Sequence, residues 1–364
     1  MDAPRIPLED FEIPDVTQSE LGIKNDYQGS VEYGIIGSGQ CGGRIAKSFY
    51  NLGYKKVVAL NTSTSDLKPL ELPEKQKLRI GNLEGSGKDM IKGKVATADS
   101  YQVILDKVKS VFGTVDKIVI CVGFGGGTGA GGLSTLIEIA QKYMEQLKSA
   151  NPVKDVIILA ALPTDGELKS TIIGENAKKV EDYILRLVKD EKIGPLFFID
   201  NSKIESMYRG IAPAEFWAII NDSITGLFHT FNHLSKQPSE FSTFDAEDYK
   251  AVLGGSGCAV MGVTKIKPGE ELSQALQANL KKTLLFEGVD YKTAKNAACV
   301  ITADSESLKN VSMDKINYGF DAIHNLLGSA TIHRGLFTSK QKGFRAYTMI
   351  TGMKEKDADT SAYK

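Results

Sequence analysis

Short apolar, β-branched runs recur at VEYGIIG (31–37), KKVVALN (55–61), KLRIG (77–81), DKIVICVGF (116–124), DVIILAALP (155–163) and PLFFIDN (195–201). Between most of them lie longer stretches with helical spacing, as at Leu133, Ile137, Ala140, Met144 and Leu147. Strands that are apolar throughout, alternating with amphipathic helices, predict a parallel sheet covered on both faces: a doubly wound α/β domain over 31–212.

The pattern then changes. Between Ala214 and Leu234 the apolar residues Phe216, Ile219, Ile220, Ile224, Leu227, Phe228 and Phe231 cover much of a helical circumference. That predicts a helix over 213–234 buried between two masses, roughly 30 Å long at ~1.5 Å per residue. A polar loop, Ser235 to Thr243, opens a segment reaching 254. Beyond it CAVMGVTKI, AACVITA, SATIHRGLFTS and GFRAYTMITG read as strands, with helices around 271–285 and 313–327, giving a smaller α+β domain over 255–352. Residues 1–30 lack periodicity and read as a flexible arm. Its segment Leu8-Glu-Asp-Phe-Glu-Ile-Pro14 is either disordered padding or a docking site for an adaptor. A short polar tail, 353–364, ends the chain.

At 364 residues the chain suits two domains rather than one ordinary core. Lys+Arg 44 against Asp+Glu 45 leaves a formal net charge of -1, which argues against direct nucleic-acid binding through a broad basic face. The four cysteines, Cys41, Cys121, Cys258 and Cys299, form no CxxC pair and sit in apolar or glycine-rich runs, the pattern of buried free thiols in a reducing compartment. No apolar stretch is long enough to insert in a membrane, and MDAPRIPLEDFEIPD lacks the basic and apolar parts of a signal peptide. A cytoplasmic location is expected.

The strongest chemical signal lies between a buried strand and a long helix, at Gly123-Phe-Gly-Gly-Gly-Thr-Gly-Ala-Gly-Gly132. Five glycines within Gly125, Gly126, Gly127, Thr128, Gly129, Ala130 and Gly131 exceed the needs of a turn. They allow close backbone approach, and the free N–H groups of a helix start favour an anion, so phosphate binding is preferred over a structural turn. A second loop, Gly37-Ser-Gly-Gln-Cys-Gly-Gly43, contributes Gly39, Gln40, Cys41, Gly42 and Gly43 after the first strand. Alone it matches a dinucleotide fingerprint. That reading requires an acid at the end of the next strand, where the chain has Asn61-Thr-Ser63. Two such loops on parallel strands open on one edge and can grip one polyphosphate from two sides. Gly85-Ser-Gly-Lys88 has the wrong spacing for a Walker A loop, with Asp89 where a hydroxyl residue is needed.

In this order the motifs resemble the tubulin/FtsZ family over roughly residues 31–352. GGGTGAG (125–131) resembles the family signature, and Gly39-Gln-Cys-Gly42 looks like the tubulin form of the first phosphate loop. Ala59-Leu-Asn-Thr-Ser resembles its second loop, and Leu162-Pro-Thr-Asp-Gly-Glu167 the ribose-contacting loop. Asn201-Ser-Lys-Ile and Trp217 to Asp222 resemble the base-binding segments. The resemblance implies a tubulin/FtsZ-like α/β fold, GTP or GDP with Mg2+, and head-to-tail self-assembly. Asn61 would lie at the phosphates and Glu167 at the ribose. Asn201 and either Asn221 or Asp222 would hydrogen-bond the guanine edge. Trp217 would either stack on the base or belong to the core.

Asp245 and Asp248 in Ser242-Thr-Phe-Asp245-Ala-Glu-Asp248 stand at i, i+3 on a starting helix, where a cap and a solvated first-turn acid are the plain reading. They match the two acids of the family's NxDxxD loop, which implies catalytic carboxylates supplied to the next subunit's nucleotide. Three positions depart from the family: Thr243 replaces its asparagine, Ser63 an acid near the magnesium shell, and Thr171 an arginine near the nucleotide. The resemblance thus implies an assembly-dependent GTPase. The alternatives are a static GTP-binding scaffold and, more remotely, an NAD-dependent enzyme.

Overall fold

The computed structural model describes residues 27, 29–207, 213–267, 269–283 and 285–356. Nearly all of the arm expected over 1–30, its adaptor segment and the tail from 357 lie outside the described residues.

The chain runs β1 (Tyr33–Ser38), α1 (Gly39–Asn51), β2 (Val57–Asn61), the short α2 (Thr64–Leu67), β3 (Lys77–Arg79), α3 (Met90–Asp99), α4 (Tyr101–Phe112), β4 (Lys117–Gly123) and α5 (Thr128–Gln146). It continues through β5 (Val156–Leu162), α6 (Asp165–Leu168), α7 (Thr171–Lys189), β6 (Pro195–Asp200) and α8 (Asn201–Met207) to the long helix α9 (Pro213–Leu234). Then follow α10 (Ala246–Leu253), β7 (Gly257–Ile266), α11 (Leu272–Thr283), β8 (Val289–Asp290), β9 (Asn296–Ala303), α12 (Ser305–Lys309), α13 (Met313–Leu327), β10 (Thr331–Thr338) and β11 (Phe344–Glu355).

One sheet carries every strand in the order β10-β9-β11-β7-β6-β5-β4-β1-β2-β3, with β8 added on β11. From β3 to β7 the neighbours are parallel, while β11 is antiparallel to both β7 and β9. The part expected as a second domain therefore extends the first sheet across β6 and β7, where Pro195, Leu196 and Phe197 pair with Gly257, Cys258 and Ala259. Strand β11 runs to Glu355, past the expected start of the tail.

Both faces are covered, which is why β4 and β5 read as unbroken apolar runs. Ile118, Ile120 and Val122 pack with α4 and α5 residues such as Val108, Leu133 and Leu136, and Val119 and Cys121 pack with Ile45, Phe49 and Phe228 on the opposite face. Helix α9 is buried on all sides through its second half: Ile224, Leu227, Phe228 and Phe231 are at most 1% exposed, and so are Thr225, His229 and Asn232. Asn232 satisfies itself by acting as a strand partner, accepting from Val31 N–H at 2.8 Å and donating to Val31 carbonyl oxygen at 2.9 Å. Of the cysteines, Cys121, Cys258 and Cys299 are buried free thiols and Cys41 is half-buried. Among the described residues, no helix is long and apolar enough to cross a membrane.

Candidate functional site

The strand order reverses between β1 and β4, so the loops leaving their carboxyl ends diverge to opposite faces and leave a crevice between them. Those two loops are the glycine loops. Ser38 lies opposite Val122 in register, so α1 and α5 start side by side with their N-termini toward the crevice. Gly39 takes φ +72°, and a Cβ there would sit 3.1 Å from Gly129 N, so this junction admits only glycine. Free N–H groups and two helix dipoles converge on one spot, an arrangement built for an anion.

A cavity of about 340 Å³ occupies the crevice. Its wall includes Gly39, Gln40 and Cys41 from α1, Asn61 at the end of β2, and Gly125, Gly126, Gly127, Thr128 and Gly129 from the second loop. Glu167, Asn201, Trp217 and Asn221, also expected from the sequence, line it as well. Trp217 is half-buried and packs edge-to-face on Phe216 with ring centroids 5.1 Å apart. Glu167 also closes a capping box on α6, accepting from Thr164 N–H at 2.9 Å.

Five residues singled out from the sequence lie off this wall. A Cβ on Gly42 would meet Cys121 carbonyl oxygen at 2.0 Å, and one on Gly43 would touch Leu70. Gly131 faces α3, where a Cβ would meet Met90 carbonyl oxygen at 2.1 Å, and Ala130 is buried beside it. At Gly42 and Gly131 the missing side chain lets two backbones pack closely. Asp222 faces Ser48 and Lys47 on α1, leaving Asn221 as the side chain presented to the cavity.

The wall also holds Ser38, Arg44 and Asp66, which sequence reasoning passed over, Ser63, which it noted only as a departure, and Gly85 to Lys88, which it set aside as a Walker A loop. Arg44 follows Gln40 by one helical turn, a spacing that puts both on one face of α1. The segment Gly85-Ser-Gly-Lys88 is no Walker A loop, yet it lies against Gly127. Asn176 ties the two together, donating from Nδ2 to Lys88 carbonyl oxygen at 2.8 Å and to Gly125 carbonyl oxygen at 3.3 Å. Lys88 takes φ 65° there. Arg44 and Lys88 are the wall's cations, and among the described residues neither makes an ion pair, which leaves both available to phosphate oxygens. The wall's carboxylates are Asp66 and Glu167. Asp66 accepts from Asn61 Nδ2 at 3.1 Å, so an acid enters the region where Ser63 departs from the family. Thr128 Oγ1 is held by Thr62 at 2.8 Å and Ser86 at 3.1 Å.

Two polar atoms in the wall, Ser38 Oγ and Asn201 Oδ1, are buried without a partner among the described residues. Unpaired buried polar groups are costly and therefore rare, and both atoms keep hydrogen-bonding capacity that a ligand in the cavity can use. Burial pushes the Cys41 thiol up to about 12, which keeps it protonated and unsuited to nucleophilic work.

Asp245 and Asp248 are elsewhere. Asp245 Oδ1 caps α10, accepting from Glu247 N–H at 2.9 Å and Asp248 N–H at 3.0 Å, and Asp248 Oδ2 accepts from Asp245 N–H at 3.1 Å. One residue on, Tyr249 Oη bonds Tyr33 Oη at 2.8 Å, at the amino end of β1. The cavity lies at the carboxyl end of that strand, about 17 Å away at ~3.3 Å per residue. The two acids therefore occupy the opposite edge of the sheet from the cavity.

This combination defines a mononucleotide-polyphosphate binder on a doubly wound sheet. Comparison with known proteins narrows the class. The sequence model of the tubulin/FtsZ family GTPase domain matches residues 32–158. The tubulin-like protein CetZ of Pyrococcus horikoshii is 30% identical over 339 residues, covering 88% of this chain and 85% of its own. TubZ of Bacillus thuringiensis serovar israelensis, solved as a GTPγS-form protofilament, shares the fold with a TM-score of 0.75 at 18% identity, over 91% of this chain and 90% of that one. CetZ2 of Haloferax volcanii, solved as a GTPγS-bound protofilament, does so at 0.73 and 18%, over 91% and 96%. The chain belongs to the tubulin/FtsZ family. That membership leaves no place for the dinucleotide reading.

Proposed function

We propose that this chain binds GTP in the cavity between α1 and α5, assembles head to tail, and hydrolyses GTP at the junction with carboxylates from the neighbouring subunit. The observation that supports this most directly is the placement of the two halves of the site: cavity at the carboxyl edge of the sheet, Asp245 and Asp248 at the amino edge. No single chain brings them together, whereas stacking one subunit's amino edge on the next subunit's carboxyl edge does. A contact of this kind does not close and builds filaments, the assembly seen for the relatives solved as protofilaments.

In this reading the N-termini of α1 and α5 hold the phosphates, with Arg44 and Lys88 offsetting their charge. Asn201 and Asn221 read the guanine edge, Trp217 lies against the base, and Glu167 takes the ribose. Asp66, oriented by Asn61, and the Thr128 hydroxyl form a donor set suited to magnesium, which takes one or two protein oxygens besides phosphate and water. Magnesium, when bound, neutralises charge on the β- and γ-phosphate oxygens. Phosphoryl transfer then needs an aligned water, which the incoming Asp245 and Asp248 orient and partly deprotonate.

A second reading, a GTP-binding filament with little turnover, has one observation in its favour: among the described residues, three of the four carboxylate oxygens of Asp245 and Asp248 already accept hydrogen bonds within the chain. Phosphate release measured against protein concentration, with light scattering in parallel, separates the two. Release that begins only with polymer, and that Asp248→Ala abolishes while filaments persist, supports the interfacial reaction. Release per molecule that stays constant on dilution refutes it, and polymer without release establishes the static filament.

A further inference from the structure

We infer that His333, on β10, is a positioning residue that sets the orientation of Asp248 and thereby the rate of hydrolysis; the inference rests on the interfacial reaction proposed above. His333 Nδ1 lies 2.7 Å from Asp248 Oδ1. The histidine side chain is 15% exposed and the aspartate 31%, so the ring stands behind the carboxylate and leaves its outer side open to a neighbour. An oxygen of a carboxylate can face Nδ1 at this distance only if Nδ1 carries the proton, which holds for the cation and for one neutral tautomer alike. His333 is therefore a donor in either state.

The contact completes a series that lays the loop before α10 along β10. Ser239 Oγ donates to Leu336 carbonyl oxygen, Leu336 N–H donates to Ser242 carbonyl oxygen at 2.9 Å, and Ser242 Oγ donates to Arg334 carbonyl oxygen at 3.4 Å. Phe244 is fully buried where Gly335 leaves room for it: a Cβ at Gly335 would sit 2.7 Å from Phe244 Cβ. Those contacts place the backbone of the loop. From β10 it is His333 that reaches the α10 acid, Asp248.

Asp248 is thus gripped from two directions, by His333 on Oδ1 and by Asp245 N–H on Oδ2. Each carboxylate oxygen accepts more than one hydrogen bond, so capacity remains for a water bound to the next subunit's nucleotide. Without the ring, Asp248 keeps only the Asp245 contact and turns more freely about its side-chain bonds, and small misplacements of a group that aligns a reactant are expensive in rate.

The test uses the full chain and reads phosphate release per polymerised subunit, KM for GTP and the critical concentration by sedimentation. His333→Ala is expected to slow release by roughly 10- to 100-fold, with KM and critical concentration nearly unchanged. His333→Asn, whose Nδ2–H stands close to the lost Nδ1–H, restores most of the rate, while His333→Gln, with its donor displaced, does not. Should His333→Ala fail to fold, the asparagine–glutamine contrast carries the test. Wild-type release from His333→Ala or His333→Gln, with Asp248→Ala inactive, overturns the role of His333 alone. An asparagine variant as slow as alanine, with a raised critical concentration, also overturns it and makes the histidine a packing residue. Wild-type release from Asp248→Ala overturns the interfacial reaction itself, and this inference with it.

Discussion

Asn201 sits at the start of α8, 4% exposed, with its carbonyl oxygen Oδ1 buried and unpartnered. An unsatisfied buried acceptor costs about 1–3 kcal/mol. Replacing Asn201 by alanine removes that cost from the nucleotide-free protein, so its unfolding midpoint should hold or rise. If a guanine N–H satisfies the oxygen, the same substitution removes about 1–3 kcal/mol from binding, which is roughly a 5- to 150-fold rise in Kd. The two effects have opposite signs, and this separates a ligand contact from a structural one. The assay is calorimetric titration and thermal unfolding below the concentration at which polymer forms, with GTP and with ITP, whose base lacks the 2-amino group. The wild type should prefer GTP, and Asn201→Ala should lose most of that preference. A variant with a lowered nucleotide-free midpoint and an unchanged GTP-to-ITP ratio refutes the assignment.

Three further outcomes follow from the geometry. Gly131→Ala drives a Cβ to 2.1 Å from Met90 carbonyl oxygen, between two helices that cannot part locally; a loss of about 1–3 kcal/mol is expected in urea unfolding. Gly126→Ala, where a Cβ meets nothing closer than 3.9 Å, should fold as the wild type and weaken GTP binding instead. Glu181 is pushed up to about 8 by burial, with Glu355 and Asp182 adding to it. The unfolded chain releases this proton near pH 4.5 and the folded chain near pH 8, so stability falls as pH rises between them. Glu181→Gln should therefore raise stability at pH 7.5 by on the order of 3 kcal/mol and have little effect at pH 4.5, as denaturant titrations at the two pH values would show.

The strands and the central helix were legible because burial on both faces writes itself into composition: VIILAAL and VVALN are apolar at every position but one, and the apolar residues of α9 spread over much of its circumference. The glycine loops were legible as a place of close approach. What glycine does not reveal is the approaching partner, and so Gly126, which faces open space, and Gly131, which faces the backbone of α3, read alike. Arg44 and Asp66 were hidden for a different reason. They reach the cavity from outside the motifs that define it, and only the packing of α1 and α2 against the sheet turns them inward. His333 stands 85 positions from Asp248 in sequence, and no local pattern links them.

The join between β6 and β7 has a mechanical consequence. Only the first three residues of β6 pair with β7, whereas β5 holds the strand from Leu196 to Asp200. Beyond Phe197 the strands part, and Leu285 fills the gap as a wedge: Asp200 N–H donates to its carbonyl oxygen at 3.1 Å, and its own N–H donates to Met261 carbonyl oxygen at 2.9 Å. A sheet with such a short stitch has a crease, and bending strain collects there instead of spreading over all the strands. The crease opens toward the carboxyl end of β6, where the next residue is Asn201. Any flexing of β7, β11, β9 and β10 against the other strands therefore pulls first on this residue of the cavity wall, and a ligand held there would act as a rivet across the fold line.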